Sequence, residues 1–172
     1  MNEPGLSLHA HLPLTWQAAQ TFPPPLLSDW MQGNLVCLQA LAAIESHDKD
    51  LDSSATGEHA AGRLEAKVDL LLLLVGELMR KQQPILSSME VTLGAHEISW
   101  DAATPLAVGS EGVITLYLSS RLHWPLTLPV HVTRADGHKM HAKFIHLSED
   151  VQEWLERTLF RYHRRALQAR AR

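Results

Sequence analysis

Arg63–Lys81 reads RLEAKVDLLLLLVGELMRK, and its apolar surface is too wide for one partner. Leu64, Val68, Leu71, Val75 and Leu78 follow the alternating four-and-three spacing of a coiled-coil seam. Val68, Leu72, Val75 and Met79 form a second stripe, and Leu70, Leu73 and Leu74 widen the surface further. A helix that is apolar nearly all round is buried nearly all round. A chain of 172 residues has few elements to cover it with, so further copies of the same chain are the expected cover. The alternative is an intramolecular hairpin with the helix predicted at Leu26–Glu45, which would cover one stripe only. Two stripes favour more than two strands in a bundle. The expected oligomerisation residues are Leu64, Val68, Leu71, Leu72, Val75, Leu78 and Met79.

The formal net charge of −4 is mild, so the chain as a whole has no strong pull towards nucleic acid. The charge is unevenly spread. Glu45, Asp48, Asp50, Asp52 and Glu58 make an acidic middle, and Arg157, Arg161, Arg164, Arg165, Arg170 and Arg172 make a basic end. That end could bind RNA, an acidic membrane surface or an acidic protein, or pair with the acidic middle. A solvated helix end favoured by the macrodipole is the default, and no nucleic-acid partner is expected. The single cysteine, Cys37, excludes an intrachain disulfide and fits a reducing compartment. The start, MNEPGLSLHAHLP, lacks a basic segment followed by an apolar core, so no secretory signal is expected. Asp69 and Glu77 interrupt the leucine run well short of the ~20 apolar residues of a membrane span. A cytoplasmic location without membrane insertion is the expectation.

The motifs of catalysis are missing. There is no G-x-S-x-G elbow, P-loop, dinucleotide glycine fingerprint or H-E-x-x-H. Cys37 lies in an apolar helix face, which reads as a buried structural thiol. His146-Leu147-Ser148-Glu149 holds the residue types of catalysis, but Ser148 reads as a helix cap. His9 and His11 share a strand face, while His138 and His141 do not, and neither pair has a Cys or carboxylate at zinc spacing. Solvated or edge-strand histidines are expected rather than a metal site, and no enzyme.

Ser7–Trp16 alternates, with Leu8, Ala10, Leu12 and Leu14 on one face, His9, His11 and Thr15 on the other, and Pro13 suited to an edge. Phe22-Pro23-Pro24-Pro25 ends that strand. Leu26–Glu45 reads as an amphipathic helix, His47–Glu58 as a polar loop, and the leucine helix runs on to Pro84. Short strands are predicted at Met89–Leu93, His96–Asp101, Gly112–Ser120, Thr127–Arg134 and His138–His146, the last pair joined through Asp136-Gly137. Ser148 opens a final helix with Glu149 and Asp150 in its first turn. Segregated strands and helices of this kind suggest α+β, with a small antiparallel barrel.

HLPLTW, PLAVGSEGVITLYL, PLTLPVHVTR and HAKFIHLSEDVQEWLERTLFRYHRR together resemble the bacterial PilZ domain, a small β-barrel followed by a helix. The last piece is the most specific, an aromatic-ending strand, Leu147-Ser148, then a helix carrying Phe160-Arg161. The whole chain, from about Leu6 to Arg165, resembles an atypical branch with two helices inserted after the first strand. In that branch the long inserted helices form a coiled coil and a tetramer, and RLEAKVDLLLLLVGELMRKQQP stands at that place. The resemblance divides the chain into a first barrel strand (6–16), a helical oligomerisation region (26–83), the rest of the barrel (84–147) and a C-terminal helix with basic tail (148–172).

Typical PilZ domains bind cyclic di-GMP through Arg-x-x-x-Arg before the first strand and Asp/Asn-x-Ser-x-x-Gly on the next. The guanidiniums pair with phosphate and stack on guanine, and the small residues admit the bases. Before its first strand this chain has MNEPGLSLHA, without arginine. Aligned on Ile98–Trp100, the second motif falls on Thr92 to Glu97: Thr92 replaces the acid, Gly94 the serine and Glu97 the glycine. Each lost charge-assisted hydrogen bond removes about 1.5–3 kcal/mol, and Glu97 repels phosphate. No tight binding in the usual mode is expected, and no cofactor.

The leading expectation is a non-enzymatic scaffold, a degenerate barrel on a self-assembling helical stalk, working near cyclic di-GMP networks such as motility or virulence. Its candidate partner-binding residues are Arg121, Trp124, Arg161, Arg164 and Arg165, facing a protein whose identity stays open. The alternative is a cyclic di-GMP receptor using replacement arginines, Arg121, Arg134 or Arg161. A metal-dependent enzyme has only scattered histidines behind it. Asp at both Leu71 and Val75 should give monomers or insoluble chains, since each buries an unpaired charge at a cost of several kcal/mol. Light scattering at micromolar concentration reads this, and an undiminished oligomer would refute the seam.

Overall fold

The structure, a computed structural model, describes residues 6–51, 68, 75, 87–120 and 122–170. The strands are β1 (Ser7–Ala18), β2 (Ser88–Gly94), β3 (Glu97–Asp101), β4 (Glu111–Leu116), β5 (Leu126–Asp136) and β6 (Lys139–Phe144). Helix α1 (Pro24–Leu51) follows β1, and helix α2 (Glu149–Arg170) follows β6. The strands close into one antiparallel barrel in the order β1-β2-β3-β6-β5-β4. Val68 and Val75 are both helical. Of the expected seam, Leu64, Leu71, Leu72, Leu78 and Met79 lie outside the described residues, as does Arg121.

Closure rests on β1, which is shared between two neighbours. Ser7 to Pro13 pair with β2, and Leu14 to Ala18 pair with β4. Pro13 is therefore at no edge, contrary to the sequence reading. It lies where the pairing passes from β2 to β4, and its carbonyl accepts the Tyr117 N–H at 3.1 Å. A residue without an N–H fits at such a handover because only one ladder donor is missing. The predicted alternation holds: Leu14 is buried, Leu8 and Leu12 pack against the core, and His9, His11 and Thr15 face outward.

The barrel is filled by Val91, Leu93, Ile98, Trp100, Ile114, Leu116, Leu126, Leu128, Val130, Val132 and Met140, all buried. Trp16 stacks on Trp100 with ring centroids 6.0 Å apart. On α1, Cys37, Leu38 and Leu41 pack into this core, and so do Val151, Leu155 and Leu159 of α2. Helix α1 lies on β5 and α2, and α2 on β1.

Three local readings are corrected. Helix α1 begins at Pro24 rather than Leu26. The prolines form its first turn, where a missing N–H costs no helical bond, and Leu27 N–H reaches Pro23 O at 3.0 Å. The helix also runs through 47–51, where polar composition predicted a loop; polar composition does not by itself end a helix. Strand β4 ends at Leu116 instead of Ser120, because its pairing ends there: Leu116 lies opposite Leu14, beyond which β1 pairs with β2, and opposite Leu126, the first residue of β5. The Asp136-Gly137 hairpin is present, with Asp136 opposite Lys139 and Gly137 at a φ of 63° in the turn. Ser148 caps α2 as expected, its Oγ accepting the Val151 N–H at 3.4 Å.

Gly112 is where β4 passes closest to β1. A Cβ there would come within 2.5 Å of the Trp16 ring and the Gln17 carbonyl, and the stack on Trp100 keeps Trp16 from yielding freely. Gly112→Ala should therefore destabilise by about 1–3 kcal/mol, read as a lower urea midpoint. An unchanged midpoint would mean that Trp16 is not held in place.

Candidate functional site

A cleft of about 670 Å³ opens between α2 and the β1–β2–β3 side of the barrel. Leu6, just before β1, Ala95 and His96 of the β2–β3 turn, and Glu156, Arg157, Leu159, Phe160 and Arg161 of α2 line it. The turn is tight: a Cβ on Gly94 would stand 3.3 Å from the Glu97 carbonyl oxygen. The Gln152 side-chain amide donates to Ala95 O at 2.6 Å, and Phe144 N–H donates to His96 O at 3.0 Å, so helix and β6 both hold the turn. The cleft therefore sits where the expected nucleotide motif would fall, around Gly94 and Glu97, and beside the chain leading into β1.

Its arginines are already engaged. Arg157 pairs with Glu153 one helical turn back and lies 5.5 Å over the Trp154 ring. Arg161 Nε donates to Glu45 Oε2 at 2.9 Å, and its Nη2 donates to Thr158 Oγ1 at 2.8 Å. Arg165 Nη1 reaches Glu45 Oε1 at 3.1 Å. Glu45 comes from α1, and its side chain is only 9% exposed. Beside this cluster Tyr162 O–H donates to Leu118 O at 3.4 Å. Burial, with Glu45 adding to it, raises the Tyr162 phenol above its ordinary range, and the two arginines pull the other way. Glu156, on the cleft wall, stands 3.9 Å from His96.

The remaining sequence-predicted residues are dispersed. Thr92 Oγ1 is hydrogen-bonded to His9 Nδ1 at 2.9 Å, and Glu97 is exposed at the start of β3. Arg134 lies by the β5–β6 hairpin, away from the cleft lining, paired with Asp136 at 2.9 Å and within 2.9 Å of His141 Nε2. Trp124 is 43% exposed, with its indole against α1 at Gly33. Arg164 is exposed on α2. Val68 and Val75 are 46% and 52% exposed. Among the described residues, no group of three or more His, Cys, Asp or Glu is placed to hold a metal, and no helix is long and apolar enough to cross a membrane.

Two buried polar residues escaped the sequence reading. Asn34 on α1 receives the Thr127 N–H at 2.7 Å and donates to Thr127 O at 2.8 Å, so its side-chain amide pairs with β5 as a strand would. Glu45 belongs by charge to the acidic middle, yet it falls at the helical spacing of Leu38 and Leu41. That periodicity was the signal for both.

A closed six-stranded antiparallel barrel with a helix following the first strand and another after the last defines a PilZ-like domain. The family model described as "Atypical PilZ domain, cyclic di-GMP receptor" matches residues 38–172, and the chain belongs to that family. Among solved structures it is similar to a pathogenic protein of Xanthomonas campestris, described as a tetrameric PilZ domain self-assembled through an unusual helical bundle. The identity is 26%, with 96% of this chain and 91% of that chain covered and a TM-score of 0.78. No curated protein matches.

Burial pushes the Cys37 thiol from 9.0 up to about 12; its Sγ donates to Trp124 O at 3.3 Å. A thiol held protonated is a poor nucleophile. The folded protein should leave an aromatic disulfide reagent unreacted at pH 8 and release one thiol per chain on denaturation. Because the folded value is the higher one, stability is kept below about 9 and falls as pH rises towards 12. Fast labelling of the native protein would contradict this.

Proposed function

We propose that this chain is a non-enzymatic, self-assembling PilZ scaffold that does not bind cyclic di-GMP in the usual mode and works by engaging a protein partner. The observation that carries this reading is the state of the cleft. Both of its arginines are held by carboxylates, Arg157 by Glu153 and Arg161 by Glu45. Glu156 adds a further negative charge to the wall. A phosphate entering there must compete with the buried Glu45 carboxylate for Arg161. The segment 26–83 supplies the assembly. The tetrameric helical-bundle relative supports a tetramer built on a coiled coil, and the exposed Val68 and Val75 offer apolar surface for it. Trp124 is the partner anchor, an exposed indole of a residue type enriched in interface hot spots, and the exposed Arg164 is a further contact. Arg161 and Arg165 contribute to this reading by tying α2 to α1.

A second reading, a receptor with replacement arginines, is favoured by the cleft volume and by the receptor description of the family. Of the candidates, Arg161 alone lines the cleft among the described residues. Calorimetric titration with cyclic di-GMP separates the readings: no sub-micromolar binding is expected, and sub-micromolar affinity establishes the receptor. Light scattering should give a four-chain mass, unchanged in Trp124→Ala, while that variant loses the partner recovered by the wild type. A monomeric wild type would remove the assembly from the proposal.

A further inference from the structure

Glu45, Arg161 and Arg165 form an anion site that is already filled. The two arginines are one turn apart on α2 and converge on a single carboxylate, one guanidinium to each oxygen. The carboxylate comes from another helix and is buried. Guanidinium forks match carboxylate and phosphate oxygens alike. Arg161 is also part of the cleft wall. The same guanidinium is thus reachable from the cleft, while Glu45 holds it from the side of α1.

We propose that Glu45 is a resident anion, and that it keeps a phosphate-bearing ligand off Arg161 at the cleft, with Arg165 holding the carboxylate from behind. This deepens the preceding reading and rests on it: it gives the reason why the cleft refuses phosphate. Replacing the carboxylate by the isosteric amide retains an acceptor oxygen for one arginine and removes the charge. Arg161, no longer neutralised, still lines the cleft. An external anion regains what the variant lost, a form of chemical rescue.

The test uses inorganic pyrophosphate as the probe, at constant ionic strength, on the full chain. Glu45→Gln should bind it more tightly than wild type by about tenfold or more, the scale of one or two charge-assisted hydrogen bonds. Its melting temperature, lowered by the substitution, should recover with pyrophosphate and not with chloride. Adding Arg161→Gln should abolish both effects. Equal affinity in wild type and Glu45→Gln, or a gain that survives Arg161→Gln, overturns the proposal. Should Glu45→Gln fail to fold, Glu45→Asp retains the charge but retracts it by one methylene. A smaller gain is then expected, and none overturns the proposal. A parallel titration with cyclic di-GMP keeps the two readings apart. Tight binding by wild type sinks the scaffold reading, whereas wild-type refusal with no gain in either Glu45 variant sinks the resident-anion proposal alone.

Discussion

The barrel closes because β1 is held on both sides. Its first half is paired with β2 and its second with β4, so one strand joins what would otherwise be two sheet edges. Unpaired edges are costly and prone to association. The chain leaves β1 into α1 and returns at β2, next to the half of β1 it left behind. The helical segment is thus an excursion whose two ends are anchored by strand pairing.

Packing of the helices follows from this arrangement. Helix α1 lies across β5, where Asn34 pairs with the backbone of Thr127 and Cys37 with that of Trp124. These bonds fix the helix along its axis as well as against the core. Helix α2 seals the barrel with Val151, Leu155 and Leu159, and its polar side reaches α1 through Glu45. The cleft lies along α2, and Glu45 ties one of its arginines to α1. One carboxylate both joins the two helices and neutralises an arginine of the cleft.

Much of the fold was legible because the barrel strands carry a period of two and lie between turn residues. Strand β1, the Asp136-Gly137 hairpin and the Ser148 cap follow from local chemistry: alternation, a glycine at positive φ, and a hydroxyl facing free N–H groups. The errors fell where neighbours decided. Polar composition ended α1 too early, at Glu45, and β propensity carried β4 to Ser120, past its last paired residue. The candidate site was legible only in part. The positions around Gly94 and Glu97 do lie beside the cleft, but arginines from α2 provide its charge, and Arg134 points to the hairpin instead.

The sequence by itself determined the order of elements, the likeness to an atypical PilZ domain, the lack of the usual nucleotide motifs and the apolar excess of residues 63–81. All of these are properties of neighbouring residues, set by periodicity and residue type. Only the tertiary structure decided that Glu45 is buried between Arg161 and Arg165, that Asn34 serves β5, and that Pro13 sits at a handover. Those pairings join residues far apart along the chain, and no local pattern encodes which charges meet when a barrel closes and two helices are laid over it.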